Sequence, residues 1–191
     1  MVTPLRKQLK NLKGNYINRL LESKLRKTKK CTSTNEVILM DKCVIFDIDG
    51  TLVKTTHIID EAKSLGFENV QIWDYFYKHC NDECIETIHS IVDMVNLYHN
   101  NGYQVFFVTG RNFANIEETN KLLMRIFNVE KEHKQWWQTM MRGKYDYRPA
   151  SQVKKDALGL IMKEYKIALL VDDEKDNVEM AKSLGICALL V

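Results

Sequence analysis

The chain has 191 residues, 45% of them hydrophobic and 28% charged, with only two prolines. That is room for one ordinary domain with a proper core plus a short extension, and it excludes a proline-rich disordered chain. The formal net charge of +3 conceals a division: residues 1–30 hold ten Lys or Arg against one acid, a net of +9, and the rest holds 18 basic and 24 acidic residues, a net of −6.

The basic piece comes first. Leu5, Leu9, Leu12, Tyr16, Leu20 and Leu21 recur at steps of three and four, which predicts an amphipathic helix over residues 1–30. Pro4 suits its first turn and Gly14 weakens its middle. Such a helix can hold a nucleic acid, a membrane surface or a partner protein, or dock on its own domain. Residues 31–41 read as a polar connector containing Thr32, Ser33, Thr34 and Asn35.

From residue 42 onward strand-like and helix-like stretches alternate. Residues 42–48 form a short apolar run, predicted as a buried strand, and residues 58–100 have a helical rhythm carried by Ile85, Ile88, Ile91, Val92 and Val95. A second strand is expected at 104–109, then a helix to about 127, a third strand at 137–141 and a helix at 152–165. A fourth strand at 167–171, a helix at 177–184 and a last strand at 186–191 complete the series. Apolar runs without in-out alternation belong to parallel strands covered on both faces. The expected fold is therefore α/β, a doubly wound, Rossmann-like, mostly parallel five-stranded sheet over residues 42–191. In such sheets the ligand crevice lies beyond the carboxyl ends of the strands.

Those ends carry the chemistry. The first strand ends in Asp47-Ile48-Asp49-Gly50-Thr51, the second in Thr109-Gly110-Arg111, and the fourth in Asp172-Asp173. Like charges gathered there would repel, so a cation is expected, and hard oxygen ligands with open positions suit magnesium. Asp47 and Asp49 are two residues apart as the chain leaves the strand: one can attack phosphorus while the other handles protons. Gly50 lets the backbone turn close to a ligand. Thr109 can donate its hydroxyl to a phosphoryl oxygen, and backbone amides near Gly110 add positive potential. A lysine is still needed to balance the transition state, and Lys154 or Lys155 can supply it.

DIDGTL, VTGR, a lysine ahead of the penultimate strand, and VDD, in that order, resemble the four motifs of the haloacid dehalogenase (HAD) superfamily of phosphatases. Within it, IWDYFYKHC, GYQVFFVTGR, MRGKYDYRPASQVKKDAL and LLVDDEKDNVEMAKSLGI are similar to the 3′-phosphatase domain of phage-type polynucleotide kinase-phosphatases. The resemblance implies a HAD-like fold in which Asp47 forms an aspartyl-phosphate, and Asp49 protonates the leaving oxygen and then activates water. It implies that Thr109 and Lys154 hold the phosphoryl group, Lys154 being chosen over Lys155 by its place in the D-x-R-x₅-K stretch that opens at Asp146. Gly50, Thr51, Gly110, Arg111 and Arg148 fall with the substrate, Arg111 on its phosphate. Asp47, the Asp49 carbonyl and Asp172 would ligate Mg²⁺, with Asp173 acting through water. Two positions depart from the polynucleotide phosphatases: His57-Ile58 where they carry an arginine after DxDGT, and Ala150 where they carry an acid four residues before the lysine.

The short interval after Asp49 reads as a flap and helices with no large cap, an open site compatible with the end of a polymer. Trp73 with Phe76 is expected to pack beneath that flap, and Trp136-Trp137 to belong to the core. The leading expectation is a magnesium-dependent 3′-phosphatase of DNA or RNA ends, with the basic helix holding nucleic acid. No GxxxxGK[ST] loop accompanies it. The alternatives are a phosphatase of nucleoside monophosphates or other small esters, and an inactive nucleic-acid-binding module on the same fold. Five cysteines without zinc-site spacing read as reduced thiols. No apolar run reaches the roughly 18 residues of a membrane span, and the start is too charged for a secretory signal. A cytoplasmic location follows as an expectation, and the family likeness leans towards a phage- or virus-encoded protein.

Overall fold

The computed structural model describes residues 41–81, 83–130 and 135–191. The expected basic helix and the connector up to residue 40 lie outside the described residues. Five strands, β1 (Asp41–Phe46), β2 (Gln104–Asn112), β3 (Trp137–Arg142), β4 (Tyr165–Asp172) and β5 (Ala188–Leu190), form one sheet in the order β3-β2-β1-β4-β5. Every pairing is parallel.

The continuous apolar runs are explained by two cores. Val44 and Phe46 of β1, with Val105 and Phe107 of β2, face one core, whereas Cys43 and Ile45, with Phe106 and Val108, face the other. Alternate residues of a strand point to opposite faces, so a strand buried on both must be apolar throughout. Helices α3 (His89–Asn100) and α4 (Ile116–Ile126) cover the first face through Ile91, Val92, Val95, Leu122 and Leu123. Helices α5 (Ala150–Ile161) and α6 (Lys175–Ser183) cover the second through Ala157, Leu158, Ile161 and Ala181. Each fully buried Leu, Ile or Phe contributes about 1.5–3 kcal/mol.

The helical rhythm of residues 58–100 resolves into three helices. A short hairpin, α1 (Thr56–Ser64) and α2 (Val70–His79), precedes α3. The turn between them contains Gly66 at φ +78°, just past the end of α1, and Asn69 at φ +49°, immediately before α2. This hairpin is the small flap that stands where larger caps occur. The helix expected at 152–165 starts earlier, behind Pro149, and stops at Ile161, which frees Tyr165 to begin β4.

The chain runs outward from β1 through β2 to β3, then returns to lay β4 against the other side of β1. The order therefore reverses between β1 and β4, and a crevice opens there at the carboxyl edge. Asp47 continues the ladder by donating its N–H to the Val171 carbonyl (3.0 Å), which fixes it opposite Asp172.

Candidate active site

A cleft of about 300 Å³ opens at this edge. Asp47, Asp49, Gly50, Thr109, Gly110 and Lys154 form its floor, and Ile59, Trp73, Phe76 and Tyr77 of the α1–α2 hairpin form an apolar side. Trp73, expected beneath the flap, is instead 55% exposed and meets the buried Phe76 edge-on. Trp136 and Trp137 belong to an aromatic cluster with Phe127.

The turn after β1 is tight. The Ile48 carbonyl accepts from Leu52 and Val53 N–H (2.8 and 3.0 Å), and Gly50 N–H donates to the Val53 carbonyl at 2.8 Å. Gly50 sits at φ +76°, and a Cβ there would lie 2.0 Å from Asp173 Oδ2. Glycine is required twice over, by backbone conformation and by the approach of a carboxylate.

Lys154 occupies the centre. It is 2% exposed, with its ammonium 2.7 Å from Asp172 Oδ2 and 3.0 Å from Asp47 Oδ1. Burial opposes its charge, but the Asp47 and Asp172 carboxylates outweigh that and hold its pKa above the ordinary lysine value. Asp172 is fixed through its other oxygen, which accepts from Asn177 Nδ2 (2.8 Å) and Glu174 N–H (3.0 Å). Burial pushes the Asp47 carboxyl well above the usual range despite Lys154, and burial with Asp172 nearby raises Asp173 to about 6.

Ligand oxygens of Asp47, Asp172 and Asp173 lie within 4.8 Å of one another. Asp47 Oδ1 is buried and faces only the Lys154 ammonium, at 3.0 Å. When ionised, Asp47, Asp49, Asp172 and Asp173 carry two more charges than Lys154 and Arg111 neutralise. An all-oxygen donor set and this excess of negative charge together fit a divalent hard cation such as Mg²⁺. The carboxylate of Asp49 stands outside the cluster.

Arg111, expected on the substrate phosphate, lines the cleft, but it is buried and its N–H groups are held by protein acceptors. Its Nε and Nη2 each donate to Asp49 at 2.7 Å, and its remaining N–H groups reach Cys80 O, Asn81 Oδ1 and Thr119 Oγ1. The Thr109 hydroxyl oxygen accepts from Arg111 N–H (3.2 Å), which leaves the hydroxyl hydrogen free to donate into the cleft. Thr51 is fully buried, 3.5 Å from Asp173, and does not line the cleft. Arg148 also stands apart from the lining, paired with Asp146 (2.6 Å) and Asp156 (2.9 Å).

Sequence reading passed over Asn177 and Arg142. Asn177 follows Asp172 by five residues, on the first turn of α6, a spacing that brings it back over the strand end. Arg142 ends β3 and lines the cleft, at the same edge as the other motifs.

Comparison with known proteins agrees with this geometry. Residues 41–191 match the family model described as the polynucleotide kinase PNKP phosphatase domain. Class B acid phosphatases of Haemophilus parainfluenzae and Aggregatibacter actinomycetemcomitans are 26% and 24% identical, each match covering 75% of this chain and 60% of the relative. The chain thus spans well under two thirds of the acid phosphatases it matches. A chain of the Pnkp1/Rnl/Hen1 RNA repair complex has the same fold, with a TM-score of 0.59 and 21% identity over 86% of this chain and 46% of that one. The class C acid phosphatase of Bacillus anthracis is similar at a TM-score of 0.56 and 15% identity, over 89% of this chain and 70% of its own. No helix among the described residues is long and apolar enough to cross a membrane. Residues 41–191 belong to the polynucleotide kinase PNKP phosphatase domain family, a HAD-type phosphatase domain.

Proposed function

We propose that this protein is a magnesium-dependent phosphomonoesterase that works through an aspartyl-phosphate on Asp47 and removes 3′-phosphates from DNA or RNA ends. The observation that carries this reading is the convergence of Asp47, Lys154, Asp172 and Asp173 at the strand-order reversal, three carboxylates around one buried ammonium.

Asp47, Asp172 and Asp173 would hold the magnesium, the first two directly, and the bound ion would neutralise charge on the phosphoryl oxygens. Asp47 attacks phosphorus, and the ester P–O bond breaks as the new Asp47–phosphorus bond forms. Asp49 lines the cleft two residues on and, when it carries a proton, would give it to the departing ester oxygen. It then takes one from the water that releases phosphate. Lys154 and the Thr109 hydroxyl face the phosphoryl group and offset its growing charge, and their positions are preset by burial. The small hairpin leaves the cleft accessible to a chain end.

A second reading, a phosphatase of nucleoside monophosphates or other small esters, is favoured by the likeness to acid phosphatases. Phosphate release from a 3′-phosphorylated oligonucleotide, with and without Mg²⁺, tests the first reading. Magnesium-dependent release by wild type that Asp47→Asn abolishes supports it. Turnover of a nucleoside monophosphate alone, with the oligonucleotide untouched, selects the second.

A further inference from the structure

The two arginines assigned to substrate by their motifs are both committed to carboxylates, Arg111 to Asp49 and Arg148 to Asp146 and Asp156. Arg142 is the reverse case. It lines the cleft, half-buried, and pairs with no carboxylate among the described residues. Its guanidinium is fixed by three backbone carbonyls: Nε donates to Gly110 O (3.0 Å), and Nη1 donates to Asp146 O (3.1 Å) and to Arg148 O. Carbonyls orient the group without cancelling its charge, and Nη2 has no acceptor among the described residues.

The surrounding loop explains how this cation is held. Asp146 accepts from the N–H, Nε and Nη2 of Arg148, so the Asp-Tyr-Arg segment closes on itself. That closure aims the Asp146 and Arg148 carbonyls at Arg142. The motif arginine thus serves as a loop former, and its neighbour on β3 receives the benefit.

We propose that Arg142 forms a second anion subsite, which takes the phosphodiester next to the terminal phosphate of a nucleic-acid end; this rests on the phosphatase reading above. Position supports it. The guanidinium is held on the Gly110 carbonyl at the end of β2, one strand over from β1 (roughly 5 Å across the sheet), whereas Lys154 already serves the group on Asp47. A guanidinium with a free N–H pair suits a diester oxygen.

The test is calorimetric. The Asp47→Asn protein in Mg²⁺ is titrated with a 3′-phosphorylated dinucleotide, which adds one diester, and with a nucleoside 3′-monophosphate. The dinucleotide should bind roughly tenfold or more tightly, the worth of a hydrogen bond to a charged group, and the preference should shrink as KCl rises. Adding Arg142→Ala should bring the ratio of the two affinities close to one, and Arg142→Lys should keep part of it. Arg148→Ala, on an exposed side chain, should lower the ratio by loosening the loop, and it serves if Arg142→Ala does not fold. An unchanged ratio in the Arg142 and Arg148 variants, or no preference in the Asp47→Asn protein, overturns the subsite. Phosphate release by wild type is scored separately: its absence beside an Arg142-dependent preference sinks the phosphatase reading and spares the subsite.

Discussion

The carboxylate of Asp173 occupies the space that a side chain on Gly50 would need, with Oδ2 2.0 Å from the position of a Cβ. Two loops from β1 and β4 thereby interlock at the carboxylate cluster of Asp47, Asp172 and Asp173. Gly50→Ala must push Asp173 out of place and also strain a backbone at φ +76°, a conformation costing other residues about 1–2 kcal/mol. We expect a lower melting temperature and at least ~10-fold weaker Mg²⁺ affinity, the size of effect seen when groups around a metal site are displaced. Magnesium titration followed by unfolding midpoint checks both. Unaltered affinity would mean that Asp173 takes no part in holding the ion.

Lys154 keeps two buried carboxylates together. Its replacement by Met leaves Asp47 and Asp172 facing each other without the ammonium between them. The metal-free protein should lose about 3–5 kcal/mol, the usual effect of removing one partner from a buried ion pair. Mg²⁺ should restore part of this, because it supplies the missing charge. Chemical unfolding of wild type and Lys154→Met with and without Mg²⁺ measures the difference.

Asn177 has no chemistry of its own but holds Asp172 Oδ1 at 2.8 Å. Asn177→Ala should lower Mg²⁺ affinity or phosphate release by roughly 10- to 100-fold, as loss of groups supporting metal ligands does. The stability change should stay near 1–3 kcal/mol. Calorimetric Mg²⁺ binding beside a urea melt separates the two effects.

Cys43 is fully buried within the sheet, and burial pushes its thiol up to about 12. At pH 8, iodoacetamide should modify the exposed Cys84 and Cys187 and leave Cys43 untouched until urea unfolds the protein. The sign of the pH effect follows. Above the unfolded thiol's pKa, near 8.5, the unfolded chain releases a proton that the folded chain keeps, so stability falls as pH rises towards 12. Cys43→Ala should show a shallower fall over that window. Peptide mapping by mass spectrometry and urea melts between pH 8 and 10.5 provide the checks.

Much of this was legible in the residues. The apolar runs at β1 and β2 pointed to strands covered on both faces, and the two buried cores account for them. Asp47, Asp49, Gly50, Thr109, Gly110, Arg111, Lys154 and Asp173 do line one cleft. The D-x-R-x₅-K spacing that favoured Lys154 over Lys155 is matched by burial, since α5 turns Lys154 towards the cleft and Lys155 outward. What spacing did not reveal was the partner of each charge. A motif places a residue at a strand end, but its partner is set by side chains distant in the chain, as Asp49 lies 62 residues before Arg111.

Composition and period by themselves determined that residues 42–191 make an alternating α/β domain with its chemistry at the carboxyl edge, because burial on both faces demands apolar strands and leaves charge only at their ends. Only the tertiary structure decided how that charge is shared. Placing β4 beside β1 put Lys154 between Asp47 and Asp172. The α2 terminus and Thr119 closed around Arg111, and the loop after β3 left Arg142 as a cation among carbonyls. Electrostatic partnership depends on separations of a few ångströms, and those are set when the elements pack.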